Sequence, residues 1–135
     1  MPFSLMEHTE DPRQEIYKKV GITRDGKIPG FELHGSRVLV GIYKRPEKTK
    51  SGIYISDQTR KEDEYQGKAG VVLAKGHSAF VSDQDFDFGP DGVEVGDWIM
   101  LFVSHGLSCS VNGVPCRVVR DQDICMKIPS PDSVF

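Results

Sequence analysis

The residues best suited to covalent or metal chemistry in this 135-residue chain are Cys109, Cys116 and Cys125, and His8, His34, His77 and His105. Their spacing argues against both uses. An odd cysteine count with no C-x-x-C pair supports neither a disulfide framework nor a structural zinc site. Cys109 shares alternate positions with Leu107 and Val111, which reads as a small buried apolar residue. The histidines are scattered, and Ser104-His105 beside Ser108 lacks the pattern of a nucleophile with an oriented base. No Gly-rich phosphate loop is present, so the chain should not bind ATP itself. These residues predict a protein that is not an enzyme and holds neither metal nor cofactor.

Binding chemistry is better represented. Residues 45–60 carry many charges and few apolar side chains, so alone they cannot offset the entropy of becoming ordered. Within them, Lys50-Ser51-Gly52 supplies backbone freedom directly before Ile53-Tyr54-Ile55, a triplet of high β propensity. The plainer alternative for that triplet is an ordinary edge strand. A second stretch, from Gly76 to Cys116, has no Lys or Arg but contains Asp83, Asp85, Asp87, Asp91, Glu94 and Asp97. It reads first as a solvated acidic face. Phe80, Phe86 and Phe88 stand at even spacings in it, on one side of an extended hairpin or loop.

Charge and hydropathy exclude other classes. The net charge of −3 and the acidic stretch disfavour a nucleic-acid partner. No apolar run approaches the roughly 20 residues needed to span a bilayer. The N-terminus lacks the basic start and apolar centre of a signal peptide, which makes the cytoplasm the default location.

The elements that must position these segments are mostly strands. Gly and Pro punctuate the chain, and the intervals are short and rich in Val and Ile, as in an all-β barrel or sandwich. Strands are predicted at 37–43, 70–74, 97–103, 107–111, 115–119 and 124–128. Asn112-Gly113 gives the best hairpin signal, and Ile124, Met126 and Ile128 alternate onto one face. One stretch reads as a helix: Asp11 as N-cap, Pro12 at the first position, Gln14 at capping-box spacing, Ile16 and Val20 on one face, and Gly21 as the stop. Residues 22–36 read as connection, and the proline-rich tail 129–135 as extended.

Several segments, in order, resemble the GroES co-chaperonin family of ten-kilodalton chaperonins. Gly35-Ser36-Arg37-Val38-Leu39-Val40 resembles its first strand, with Ser36 in place of the usual acidic residue. Glu47-Lys48-Thr49-Lys50-Ser51-Gly52-Ile53-Tyr54-Ile55 is similar to its mobile loop, although Tyr54 and Ile55 replace a more usual aliphatic pair. Gly70-Val71-Val72-Leu73-Ala74-Lys75-Gly76 resembles the strand leading to the roof hairpin. Val93-Glu94-Val95-Gly96-Asp97 resembles the signature after the roof, and Arg120-Asp121-Gln122-Asp123-Ile124 the entry to the last strand. The likeness covers residues 31–128. Residues 1–30 form an extension with a short helix, and the tail is also unusual, marking a divergent member that could be virus-encoded.

The resemblance implies a GroES-like irregular β-barrel with a mobile loop at 45–60 and a roof at 77–92. It implies a co-chaperonin that caps a GroEL-type chaperonin ring, where the partner binds the ATP. Ile53 and Ile55 would enter an apolar groove between two helices of the partner's apical domain, with Tyr54 on the opposite side. The chain would itself form a seven-membered ring, neighbours joining through their first and last strands, and would meet unfolded substrates only indirectly. Asp83, Asp85 and Asp87 would make the chamber ceiling hydrophilic, while Phe80, Phe86 and Phe88 packed between subunits. The N-terminal helix could lie across a neighbour or on its own barrel. Two rivals remain: a GroES-like barrel used for structural assembly, for example in a virion, and a small-molecule barrel with a cavity near Trp98 and Met100.

Overall fold

The computed structural model describes residues 11–24, 26–45, 52–66, 68–82, 92–102 and 104–134, with the backbone alone for 63–66. Among them, helix α1 (Pro12–Val20) is followed by strand β1 (Arg37–Ile42), helix α2 (Asp57–Gln66) and strands β2 (Ala69–Lys75), β3 (Trp98–Leu101), β4 (Leu107–Val111), β5 (Val114–Arg120) and β6 (Ile124–Lys127). The strands form one antiparallel sheet in the order β4-β5-β1-β2-β3-β6. This is the all-β, barrel-type architecture with a short N-terminal helix that the sequence predicts.

β1 lies at the centre because both its faces are covered. Val38 to Ile42 are all buried, and their alternation feeds two cores. Leu39 packs with Val71, Leu73, Trp98 and Cys116 on one face; Val38, Val40 and Ile42 pack with Val72, Ile99, Leu101 and Val119 on the other. Asn112 and Gly113 both adopt positive φ (52° and 84°), closing the predicted two-residue hairpin between β4 and β5.

α1 starts and stops where its caps require. The Asp11 carboxylate accepts from the Arg13 N–H (2.8 Å), and Gly21 closes the helix at φ 77°. The helix packs on its own barrel rather than reaching away from it. Val20 is fully buried in the first core, and the Asn112 side-chain amide donates to the Val20 carbonyl (2.6 Å). Gly41 makes room for this docking, since a Cβ there would stand 2.9 Å from Ile16 Cγ2.

Four expectations need correction. A second helix, α2, begins within the charged segment 45–60, for which the sequence predicts no regular element. Ser56 starts it by accepting from the Thr59 N–H (3.1 Å), and straight-chain polar residues favour it. The tail is not extended: Pro131–Val134 forms a 3₁₀ turn, with Asp132 buried and accepting a hydrogen bond from the Tyr43 hydroxyl. The first strand is not open to a neighbour, because β5 and β2 occupy both its edges; β4 and β6 are the edges of the sheet. Finally, Leu107 and Met126 are exposed, while Cys109 is only half-buried. All three sit on those edge strands, where cover is incomplete.

Candidate functional site

The clearest binding feature begins where β1 ends. The Tyr43 N–H donates to the Ala69 carbonyl (2.9 Å), and its ring meets Trp98 edge to face at 6.0 Å. With the hydroxyl on Asp132, this residue fixes the foot from which residues 44 and 45 leave the barrel. The chain is described again from Gly52, in the left-handed region at φ 88°. Ile53 and Tyr54 follow, 66% and 74% exposed, whereas Ile55 is half-buried. In the chain without a partner the outward pair is Ile53 and Tyr54; the alternation that the resemblance implies concerns the segment seated on a partner.

Directly after this pair, α2 carries Arg60 back to the foot of the excursion. Its Nε donates to the Arg45 carbonyl (3.0 Å), and its guanidinium lies 3.9 Å from Asp57. The two ends of residues 45–60 are thus clipped together. An exposed pair with this much apolar surface, held on a clipped excursion, can bind an apolar surface. Lys50 and Ser51, also predicted for this site, lie outside the described residues.

The second excursion has a similar clip. The Lys75 ammonium, at the end of β2, reaches Glu94 Oε2 (3.2 Å) and the Val93 carbonyl (3.4 Å) on the returning chain. Glu94 is itself oriented by donating its N–H to Asp97 Oδ2 (2.9 Å). Phe80, expected in a roof, is half-buried against the core around Val38 and Val40. Its N–H donates to Asp121 Oδ2 (3.0 Å), and Lys75 lies 5.9 Å from its ring centroid. Phe80 thus seats the base of the excursion on its own barrel. Asp83, Asp85, Phe86, Asp87 and Phe88 lie outside the described residues.

One polar cluster had no counterpart in the sequence reading. Arg37, His105, Arg120 and Asp123 line an open cleft of about 270 Å³. The Asp123 carboxylate is buried, accepts from Arg120 and stands 3.0 Å from His105 Nδ1. Burial pushes its pKa up, but the hydrogen bonds and charge of Arg120, with the His105 contact, outweigh this and hold it below its ordinary value. The cluster braces the turn between β5 and β6. Sequence reasoning missed Arg60 and Lys75 as well. The only signal for Lys75 was its place as the last cation before the long cation-free stretch. Among the described residues, no three metal-ligating side chains gather, and no helix is long and apolar enough to cross a membrane.

Comparison with known proteins agrees with this architecture. Residues 31–128 match the family model described as Chaperonin 10 Kd subunit. The chain is similar to the co-chaperonin GroES of Parageobacillus thermoglucosidasius, with 37% identity over 90 residues, 67% of this chain and 89% of that protein. It is also similar to the co-chaperonin GroES of Syntrophomonas wolfei, with 36% identity over 95 residues, 70% of this chain and 93% of that protein. A third relative, the co-chaperonin GroES of Coprothermobacter proteolyticus, is 38% identical over 93 residues, 67% of this chain and 86% of that protein. The matched region contains the whole sheet and both clipped excursions, and the chain belongs to the chaperonin 10 Kd subunit family.

Proposed function

We propose that this chain is a co-chaperonin that caps a GroEL-type chaperonin ring and assists ATP-dependent folding, the partner binding the nucleotide. The observation that carries the docking mode is the outward Ile53–Tyr54 pair on an excursion clipped by Arg60. Lys50, Ser51 and Gly52 give that pair its reach, and Ile55 follows it into the contact when the segment extends on the partner. The chain contributes binding rather than catalysis and works in the cytoplasm.

Energetics require several copies. Ordering one such segment costs about 2–5 kcal/mol of gross contact energy, so one contact is weak. Several on one ring make later contacts intramolecular and raise avidity by roughly 10²–10⁴. A ring of seven copies meets this need, closed head to tail through the sheet edges β4 and β6. The acidic residues Asp83, Asp85 and Asp87, with Phe86 and Phe88, serve as its roof, based on Phe80. The rival assembly reading draws on the N-terminal extension and the tail; of these, the helix Pro12–Val20 and Asp132 in the tail pack on the chain's own barrel.

The test mixes purified chain with a double-ring chaperonin and nucleotide and follows co-migration. A variant carrying Ile53→Ser and Ile55→Ser runs beside it, with its melting curve as a check on folding. Nucleotide-dependent capture that the folded variant loses is expected. Capture unchanged in the variant overturns the docking mode, and an intact ring that binds no chaperonin overturns the co-chaperonin reading.

A further inference from the structure

The turn at Asn112-Gly113 determines which side chains of the β4–β5 hairpin face each other. Val111 and Val114 flank it, a pair that exchanges backbone hydrogen bonds in a two-residue hairpin. Such pairs alternate with non-bonded ones. Ser110 and Pro115 fall on the next, non-bonded position, where a residue lacking an N–H costs no ladder bond. Cys109 and Cys116 follow as a directly opposed, hydrogen-bonded pair. Cα atoms in such a pair stand about 5.5 Å apart, within the usual span of a disulfide, about 5.5–6 Å. Both cysteines are free thiols in the structure.

The geometry points to an oxidisable thiol pair: Cys109 and Cys116 form a cross-strand disulfide when the chain meets a small disulfide oxidant such as oxidised glutathione. Cys109 is half-buried and Cys116 buried, which sets the order of events. The Cys109 thiolate attacks one sulfur of the oxidant, whose S–S bond breaks and releases one thiolate. The Cys116 thiolate then attacks the Cys109 sulfur of the mixed disulfide and expels the second. Two electrons pass to the oxidant, and the two protons lost by the cysteines neutralise the two departing thiolates.

Burial raises both thiols, and Cys109 beside it adds to the effect at Cys116, which reaches about 12. Few thiolates exist at neutral pH, so the reaction is slow there and faster in mild alkali. Opposed Cβ atoms in a sheet lie about 4.5–5.5 Å apart, whereas a disulfide draws them to about 3.5–4.5 Å. The bond therefore forms under strain and is readily reduced again. It would join the edge strand β4 covalently to β5. Cys125 is exposed on β6 of the single subunit, at the opposite edge, and serves as an internal control for the oxidant in chain diluted until any ring dissociates.

The experiment incubates the full chain with oxidised and reduced glutathione at several ratios, quenches with acid, and maps peptides by mass. The expected product is lighter by two hydrogens within a linked Cys109–Cys116 peptide, carries glutathione on Cys125, and reverts with excess reduced glutathione. Cys125→Ser should keep the link, and Cys116→Ser should leave glutathione on Cys109. Full glutathionylation of Cys125 with Cys109 and Cys116 both still free, or a link that includes Cys125, would overturn the proposal. Wild type and Cys125→Ser decide the matter even if Cys116→Ser fails to fold.

Discussion

Replacing Tyr43 by Phe removes one oxygen from a buried site and leaves the ring against Trp98. In the native chain, that hydroxyl donates to the carboxylate of Asp132, 89 residues away in sequence and only 9% exposed. A hydrogen bond to a charged group contributes about 1.5–3 kcal/mol, and a buried carboxylate that loses this donor bears the cost. Tyr43→Phe should therefore destabilise the fold by about 2 kcal/mol. For a domain of this size, that lowers Tm by roughly 8 °C. Asp132→Ala should cost a similar amount by removing the acceptor of that hydrogen bond, whereas Asp132→Asn keeps an acceptor and costs less. The assay is thermal and urea unfolding of the singles and the double at one protomer concentration, since assembly shifts Tm. The double variant should lose about 1–2 kcal/mol less than the sum of the singles. Strict additivity, or a Tyr43→Phe chain that melts with wild type, would refute the latch between the tail and the end of β1.

The other consequences are briefer. The pKa of Asp123 is depressed from its ordinary 3.8, so its contribution is present above that value and lost as pH falls through the depressed pKa. Unfolding free energies should show Asp123→Asn about 1–3 kcal/mol below wild type at neutral pH, with the gap closing in acid; a gap that widens in acid refutes the assignment. Val20→Ala removes two buried methyl groups from a site with no exposure, costing about 2 kcal/mol with the cavity included; a cost under about 0.5 kcal/mol in urea unfolding would mean that α1 is not docked. Arg60→Met deletes the donor to Arg45 and should weaken chaperonin capture about fivefold, the equivalent of one hydrogen bond. Capture equal to wild type would show that the clip does not position Ile53 and Tyr54.

What could be read before the structure follows the range of the forces involved. β1 and β2 were legible because β-branched runs between glycines carry their own signal, and Asn112-Gly113 specified its hairpin through local backbone strain. α1 was legible from its caps. α2 was not: its sequence lacks an apolar stripe, and its start depends on the single Ser56 hydroxyl. Proline in the tail restricted the backbone but did not distinguish an extended strand from a turn that starts at Pro131. Burial of Asp132 there depends on Tyr43, which no local window contains. Parity likewise predicted which residues of β4 and β6 share a face, but not whether that face is covered. Leu107 and Met126 are exposed because these strands end the sheet. The same division runs through the site. Ile53 and Tyr54 are singled out by a local signal, and their exposure is what the structure adds. The clips from Arg60 to Arg45 and from Lys75 to Glu94 join residues that only the folded barrel brings together. The cysteine pair lies between these cases: counting outward from Asn112-Gly113 opposes Cys109 and Cys116, but only once the register of that hairpin is known.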